Sequence, residues 1–254
     1  MEKIILILFG LSWGSFLNVV IYRLPRHQSL IRPASACPAC GQPIKPYDNI
    51  PLLSFFILKG KCRSCGAAIS WRYPFVEALT AASFYLLYVN FGFSLHFLAA
   101  ALFTSGLITL GFIDFDHQLL PDEITLPGFA LALVYTFFRP DLNFGQGILG
   151  ALSGASLLLL VYALYYLLRK KEGLGLGDVT MMLFVGAFLG WRGAFLTLVL
   201  ASFGGALVGI FFIIARKKDM QYALPFGTFL APAAYIALLW GEKIIKAYLQ
   251  LFQR

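Results

Sequence analysis

The sequence predicts an all-α, polytopic membrane protein of about eight transmembrane helices, with a small zinc-ribbon-like insertion between the first helix and the second. Two observations carry this. Of 254 residues, 59% are hydrophobic and only 13% are charged, which is too apolar for an ordinary soluble domain. All four cysteines fall in the one long polar segment, as Cys37-Pro38-Ala39-Cys40 and Cys62-Arg63-Ser64-Cys65.

At about 20 apolar residues per span, the runs lie at 4–22, 74–92, 95–114, 124–138, 147–168, 179–191, 194–215 and 226–248. The first of them resembles a signal peptide in its position. It lacks a small-residue cleavage site and is followed by Arg23 and Arg26, so it is expected to be retained as a helix. The run at 179–191 is short, roughly 20 Å at the helical rise, and Asp178 stands at its N-terminal end. The chain therefore divides into a first transmembrane helix (1–24), a four-cysteine zinc-binding domain (25–72) and a multi-helix membrane domain (73–254).

The formal net charge of +8 does not indicate nucleic acid, because the basic residues stand in short clusters between apolar runs. Fourteen of the twenty Lys and Arg residues fall in 23–72, 169–177 and 216–219. Cytoplasmic loops retain such residues. This places the insertion inside the cytoplasm, both termini outside it, and Asp114 and Asp178 on the cytoplasmic side. The connections on the opposite side near 90–95 and 191–194 are short, so chemistry is expected within the membrane or at its inner face.

The two CxxC pairs stand 21 residues apart, the spacing by which two knuckles close a tetrahedral four-thiolate zinc site. Gly41 and Gly66, each directly after a pair, suit the tight turns that knuckles require. Disulfide pairing is the alternative, and a reducing cytoplasm disfavours it. With Cys37, Cys40, Cys62 and Cys65 all as ligands, no position remains for a catalytic water, so the expected Zn2+ is structural.

The stretch Gly111-Phe112-Ile113-Asp114-Phe115-Asp116-His117-Gln118-Leu119-Leu120-Pro121-Asp122 ends an apolar run in three carboxylates. A carboxylate at the edge of hydrocarbon is a functional hypothesis by default. Asp114 is the hardest to assign to structure alone, since 97–113 carries no charge. Asp122 suits an N-cap or first-turn position, and Asp116 and His117 suit a solvated loop. Downstream, Gly173-Leu174-Gly175-Leu176-Gly177-Asp178 offers a second carboxylate after a glycine run. It suits a helix cap or a partner for Asp114. Two carboxylates brought together share one proton, so that one activates water while the other polarises a carbonyl. From the residues alone, a transporter whose Asp residues carry protons or ions, or a scaffold built on the zinc module, remains open beside a hydrolase.

These motifs together resemble the type IV prepilin peptidases, or leader peptidase/N-methyltransferases, which are intramembrane aspartyl proteases of the GxGD type in the bacterial inner membrane. The resemblance runs along nearly the whole chain: Gly14-Ser15-Phe16-Leu17-Asn18-Val19-Val20-Ile21-Tyr22-Arg23-Leu24-Pro25, the four-cysteine loop, Trp71-Arg72-Tyr73-Pro74-Phe75-Val76-Glu77, Asp114 to Asp122, Gly175-Leu176-Gly177-Asp178 and Leu224-Pro225-Phe226-Gly227. It implies that Asp114 and Asp178 are catalytic and that a short basic leader is cut from prepilins or pseudopilins, after a glycine, at the cytoplasmic face. It also implies S-adenosylmethionine-dependent methylation of the new N-terminus, and the cysteine-rich loop favours this bifunctional form. No glycine-rich Rossmann fingerprint marks the methyl-donor pocket. Asn18, Arg23 and Glu77 are the candidates for it, with interhelical hydrogen bonding as their alternative role.

Overall fold

The computed structural model describes residues 1–170, 175–216 and 225–251. Gly173, Leu174 and Leu224 of the motifs above, and Lys171, Lys217 and Lys218 of the basic clusters, lie outside them. The described residues are helical, without strands: α1 (Glu2–Arg23), α2 (Leu53–Ile57), α3 (Arg72–Phe91), α4 (Leu95–His117), α5 (Asp122–Tyr135), α6 (Phe144–Arg169), α7 (Leu176–Arg216) and α8 (Gly227–Leu251). Among the described residues, five helical stretches are long and apolar enough to cross a membrane: Glu2–Arg26, Leu95–His117, Phe144–Leu168, Leu176–Phe211 and Gly227–Leu251. Packing groups the chain into two units, Met1–Ala101 and Leu102–Arg254.

In the Met1–Ala101 unit, α1 packs along α3 through Gly10 and Gly14. A Cβ at Gly10 would come within 2.7 Å of the Ala81 Cα, and one at Gly14 within 2.7 Å of the Glu77 Cα. Only glycine at both positions lets the two backbones come this close, which is the small-xxx-small device of membrane helix pairs. Between these helices lies the insertion. Its knuckles have one design used twice, 25 positions apart. The Cys37 N–H donates to the Gln42 carbonyl over 3.0 Å and the Gly41 N–H to the Cys37 carbonyl over 2.8 Å; Cys62 to Ala67 and Gly66 to Cys62 repeat this at 2.8 and 2.9 Å. Gly41 and Gly66 adopt φ of 70° and 72°, the left-handed conformation expected of them.

In the Leu102–Arg254 unit, α7 packs against α5, α6 and α8. The apolar runs expected at 179–191 and 194–215 form one element broken at Gly190, where φ is 71° and ψ 176°. The break sits at this glycine because that φ is costly for any side chain, and Arg139 Nη1 donates to the Phe188 carbonyl beside it over 2.8 Å. Where α6 meets α7, Gly150 and Gly186 face each other so closely that a Cβ on either would enter the other's backbone. A reciprocal capping box between Asn143 and Gln146 starts α6.

Candidate functional site

Asp114 lies in the last turn of α4 and Asp178 in the first turn of α7. Both are buried, at 5% and 6% exposure. The start of α8 joins them, because the Gly227 N–H lies against both carboxyl groups. Thr228 adds two donors to Asp114. Its N–H reaches Oδ2 at 2.7 Å, and its hydroxyl stands 3.2 Å from Oδ2 and 3.2 Å from the Gly111 carbonyl. Thr228 was not among the residues singled out from the sequence, although it directly follows Pro225-Phe226-Gly227.

The glycines of this site are explained by what touches them. The Gly175 backbone lies against the Asp178 carboxylate, and its carbonyl accepts from the Asp178 N–H at 3.1 Å. Gly177 leaves room for buried Leu120: a Cβ on it would meet the Leu120 Cβ at 2.9 Å. The Leu120 methyls in turn lie against Gly227, where a Cβ would stand 3.0 Å from them and 3.0 Å from Asp114 Oδ2. Leu120 is thus a wedge between the first turn of α7, which carries Asp178, and the start of α8, which carries Gly227. One helical turn before Asp114, a Cβ on Gly111 would meet the Ala231 Cβ at 2.9 Å, so α4 and α8 come close beside the carboxylates.

The other carboxylates of the opening stretch stay outside this arrangement. Asp116 and His117 are exposed, but in the last turn of α4 rather than in the loop expected for them, and the helix stops before Gln118, whose φ is 52°. Asp122 occupies the first turn of α5, with Pro121 rather than Asp122 at the N-cap. Its Oδ1 accepts from the Thr125 hydroxyl at 3.3 Å.

In the Met1–Ala101 unit the four cysteine sulfurs lie within 4.8 Å of one another, and those of Cys37 and Cys65 are 3.9 Å apart. Four thiolates about 2.3 Å from a zinc ion would stand about 3.8 Å apart, so the cluster fits a tetrahedral metal with little adjustment. Its charges suit one. The Cys65 and Ser64 N–H groups point at the Cys62 sulfur and hold that thiol down at about 6. At Cys65 the Ala67 N–H acts in the same sense, but the neighbouring Cys40, Cys62 and Cys37 sulfurs together with burial outweigh it and push the thiol up to about 11. Close sulfurs oppose one another's ionisation, and a divalent cation removes that opposition. Arg63, between the second pair of cysteines, binds Asp48 bidentately, with Nη2 to Oδ1 at 2.6 Å and Nε to Oδ2 at 2.8 Å, so the second knuckle is tied to the turn that follows the first.

These knuckles wall a cavity of about 380 Å³ whose lining includes Asn18, Arg23, Cys37, Cys62, Tyr73 and Glu77. All three residues expected at the methyl-donor pocket therefore line one cavity. Arg23 is engaged by the chain itself: Nη1 donates to the Ser29 carbonyl at 2.9 Å and Nη2 to the Pro33 carbonyl at 2.8 Å. Asn18 Nδ2 donates across to the Tyr73 carbonyl at 3.1 Å, which is the interhelical role also considered for it. Glu77, 7% exposed, accepts from the Leu52 N–H at 2.8 Å and from the Ser15 hydroxyl.

The chain was compared with known proteins. Residues 8–91 match the Bacterial Peptidase A24 N-terminal domain, and residues 101–210 match the Type IV leader peptidase family. A Pseudomonas aeruginosa protein named "Prepilin leader peptidase/N-methyltransferase" is 40% identical over 96% of this chain and 92% of its own length. Proteins of the same name from Aeromonas salmonicida (40% identical, 95% of this chain and 92% of the relative) and Legionella pneumophila (36% identical, 95% and 92%) are also similar. No solved structure matches the chain. With both domains matched in order and relatives aligned almost from end to end, the chain belongs to the type IV leader peptidase family.

Proposed function

We propose that this chain cleaves the basic leader from type IV prepilins or pseudopilins with Asp114 and Asp178, and then methylates the amine so exposed. The observation that carries the first half is the meeting of two buried carboxylates, 64 residues apart in sequence, at the start of α8. Thr228 directs two donors at Asp114 Oδ2, so the proton that the pair shares resides on Asp178. Asp114 takes a proton from water as its oxygen attacks the scissile carbonyl carbon, and Asp178 protonates the carbonyl oxygen. As the tetrahedral intermediate collapses, Asp114 returns its proton to the leaving nitrogen and Asp178 recovers one from the diol.

The second half belongs to the cavity of the Met1–Ala101 unit. S-adenosylmethionine supplies an electrophilic methyl group when bound. Asn18 and Glu77 stand among the residues that line the cavity, while Arg23 and the zinc knuckles hold its walls. Zinc on Cys37, Cys40, Cys62 and Cys65 is structural in this scheme, with 25–72 as its module and the protease pair in 73–254. We further assign eight spans in the bacterial inner membrane, counting α7 as two across Gly190, with both Asp residues facing the cytoplasm. A substrate with a basic cytoplasmic leader joined to an apolar helix would present its junction there.

The test is incubation of the purified full-length chain with a prepilin and S-adenosylmethionine, followed by mass spectrometry of the product's N-terminus. The expected product lacks the leader and carries one methyl group on its α-amine. Asp114→Asn should leave prepilin intact and still methylate a pre-cleaved pilin. An uncleaved prepilin with the wild-type chain, together with ion flux in reconstituted vesicles, would overturn the proposal in favour of a transporter.

A further inference from the structure

We infer that Glu77 and Asn18 form a seat for a protonated primary amine in the cavity of the Met1–Ala101 unit, and that its occupant is the N-terminus which cleavage creates. This rests on the assignment of methyl transfer to that cavity. Asn18 is 2% exposed, and its Oδ1 has no hydrogen-bond partner. The orientation of its amide is set by Nδ2, which faces two carbonyls, Gly14 at 3.3 Å and Tyr73 at 3.1 Å. The oxygen is therefore an acceptor left without a donor, which carries a real cost in a buried place.

Glu77 is the second acceptor. A carboxylate offers about four lone-pair positions, and the Leu52 N–H and the Ser15 hydroxyl supply two donors to it. Among the described residues, no cation pairs with it. Gly14, against the Glu77 backbone, lies one turn before Asn18 on α1, so the two acceptors stand on facing helices about one turn apart, roughly 5 Å along the axis. A group that satisfies one neutral and one charged acceptor together has several N–H donors and a positive charge, as an alkylammonium does. A sulfonium has the charge without the donors.

Both the methyl donor and the cleaved substrate carry such an ammonium. The chemistry favours the substrate, because only its nitrogen must lose a proton before it reacts. The ammonium gives one proton to the Glu77 carboxylate. The nitrogen lone pair then attacks the sulfonium methyl carbon, and the C–S bond breaks with its pair going to sulfur. The product is a methylated ammonium, and the first proton remains on Glu77 until it exchanges with water.

The test is equilibrium binding to the full-length chain in detergent, without methyl donor. The probes are a synthetic peptide of the cleaved pilin's N-terminus, the same peptide N-acetylated, and S-adenosylhomocysteine. A hydrogen-bonded charge lost in a buried place corresponds to at least about tenfold in affinity. The wild-type chain should prefer the free-amine peptide by that factor, and Glu77→Gln should erase the preference. Prepilin cleavage should stay unchanged. A preference that survives Glu77→Gln overturns the inference, as does a variant that loses only S-adenosylhomocysteine, which would assign the carboxylate to the donor's ammonium. The unmodified chain gives a check that does not depend on a variant's folding. Carbodiimide activation should join Glu77 to the free-amine peptide and not to the acetylated one, and failure to form that link counts against the seat. Filling the cavity with Val19→Trp separates the two levels. If methylation survives it, the cavity assignment itself falls; if methylation is lost while the preference survives Glu77→Gln, only the amine seat is wrong.

Discussion

Thr228→Val exchanges a hydroxyl for a methyl of nearly the same size and leaves in place the N–H that reaches Asp114 Oδ2 at 2.7 Å. What is lost is the hydroxyl 3.2 Å from that oxygen. A hydrogen bond to a charged acceptor contributes about 1.5–3 kcal/mol, and each 1.36 kcal/mol in a barrier is about tenfold in rate. Cleavage should therefore slow about 10- to 150-fold. The loss belongs in kcat, because the hydroxyl supports the base during water attack and has no assigned contact with substrate. Thr228→Ser keeps the donor and should recover most of the rate. The assay is single-turnover cleavage of a purified prepilin at matched folding. A valine variant at wild-type rate, or a serine variant as slow as the valine one, would refute the role given to this hydroxyl.

The remaining expectations test other parts of the account. Gly177→Ala places a Cβ 2.9 Å from the Leu120 Cβ, whereas one on Gly175 would lie no closer than 3.7 Å to the Asp178 Oδ2. Since a misplacement of about 1 Å can cost roughly a hundredfold in rate, Gly177→Ala should lose far more cleavage than Gly175→Ala, and equal losses would count against the Leu120 wedge. Cys65→Ser should release one zinc per chain, as metal analysis would show, and abolish methylation because Cys37 and Cys62 wall the cavity. Cleavage of prepilin should persist, and a parallel loss of both activities would contradict the division of labour. Arg63 holds the Asp48 carboxyl below its usual value. Its folded value being the lower one, this contact contributes stability that is present above the ordinary carboxylate value and is lost as pH falls through the folded value. Thermal melts should accordingly show Asp48→Asn less stable than wild type near neutrality, with the gap closing in acid; a gap that widens in acid would reverse the sign.

Much of this was legible in the sequence because it is local. Apolar runs placed the helices, and the repeated CxxC-Gly pattern placed the knuckles, since both depend on near neighbours. Asp114 stood out as a charge ending an uncharged run. Long-range packing was not legible. Nothing near Leu120 announces that it fits between Gly177 and Gly227, and Thr228 gains its role only when α8 meets the end of α4. Gly10 and Gly14 do form a readable GxxxG pair, but their partner surface on α3 could not be named without the fold. The break in α7 was expected near 191–194 and falls at Gly190, because a charged and aromatic pair, Trp191 and Arg192, resembles a loop while the backbone turns where only glycine adopts φ of 71° without strain.

The central claim is that Asp114 and Asp178 act as one unit, and the direct measurement is the cleavage rate of Asp114→Asn, Asp178→Asn and the double variant, with exposed Asp116→Asn as control. Asparagine keeps the shape and removes proton exchange. Each single change should slow cleavage at least about a thousandfold and the double scarcely more, because residues that act together are non-additive, while Asp116→Asn should retain most activity. An active Asp114→Asn, or single losses that multiply in the double variant, would contradict the shared-proton dyad.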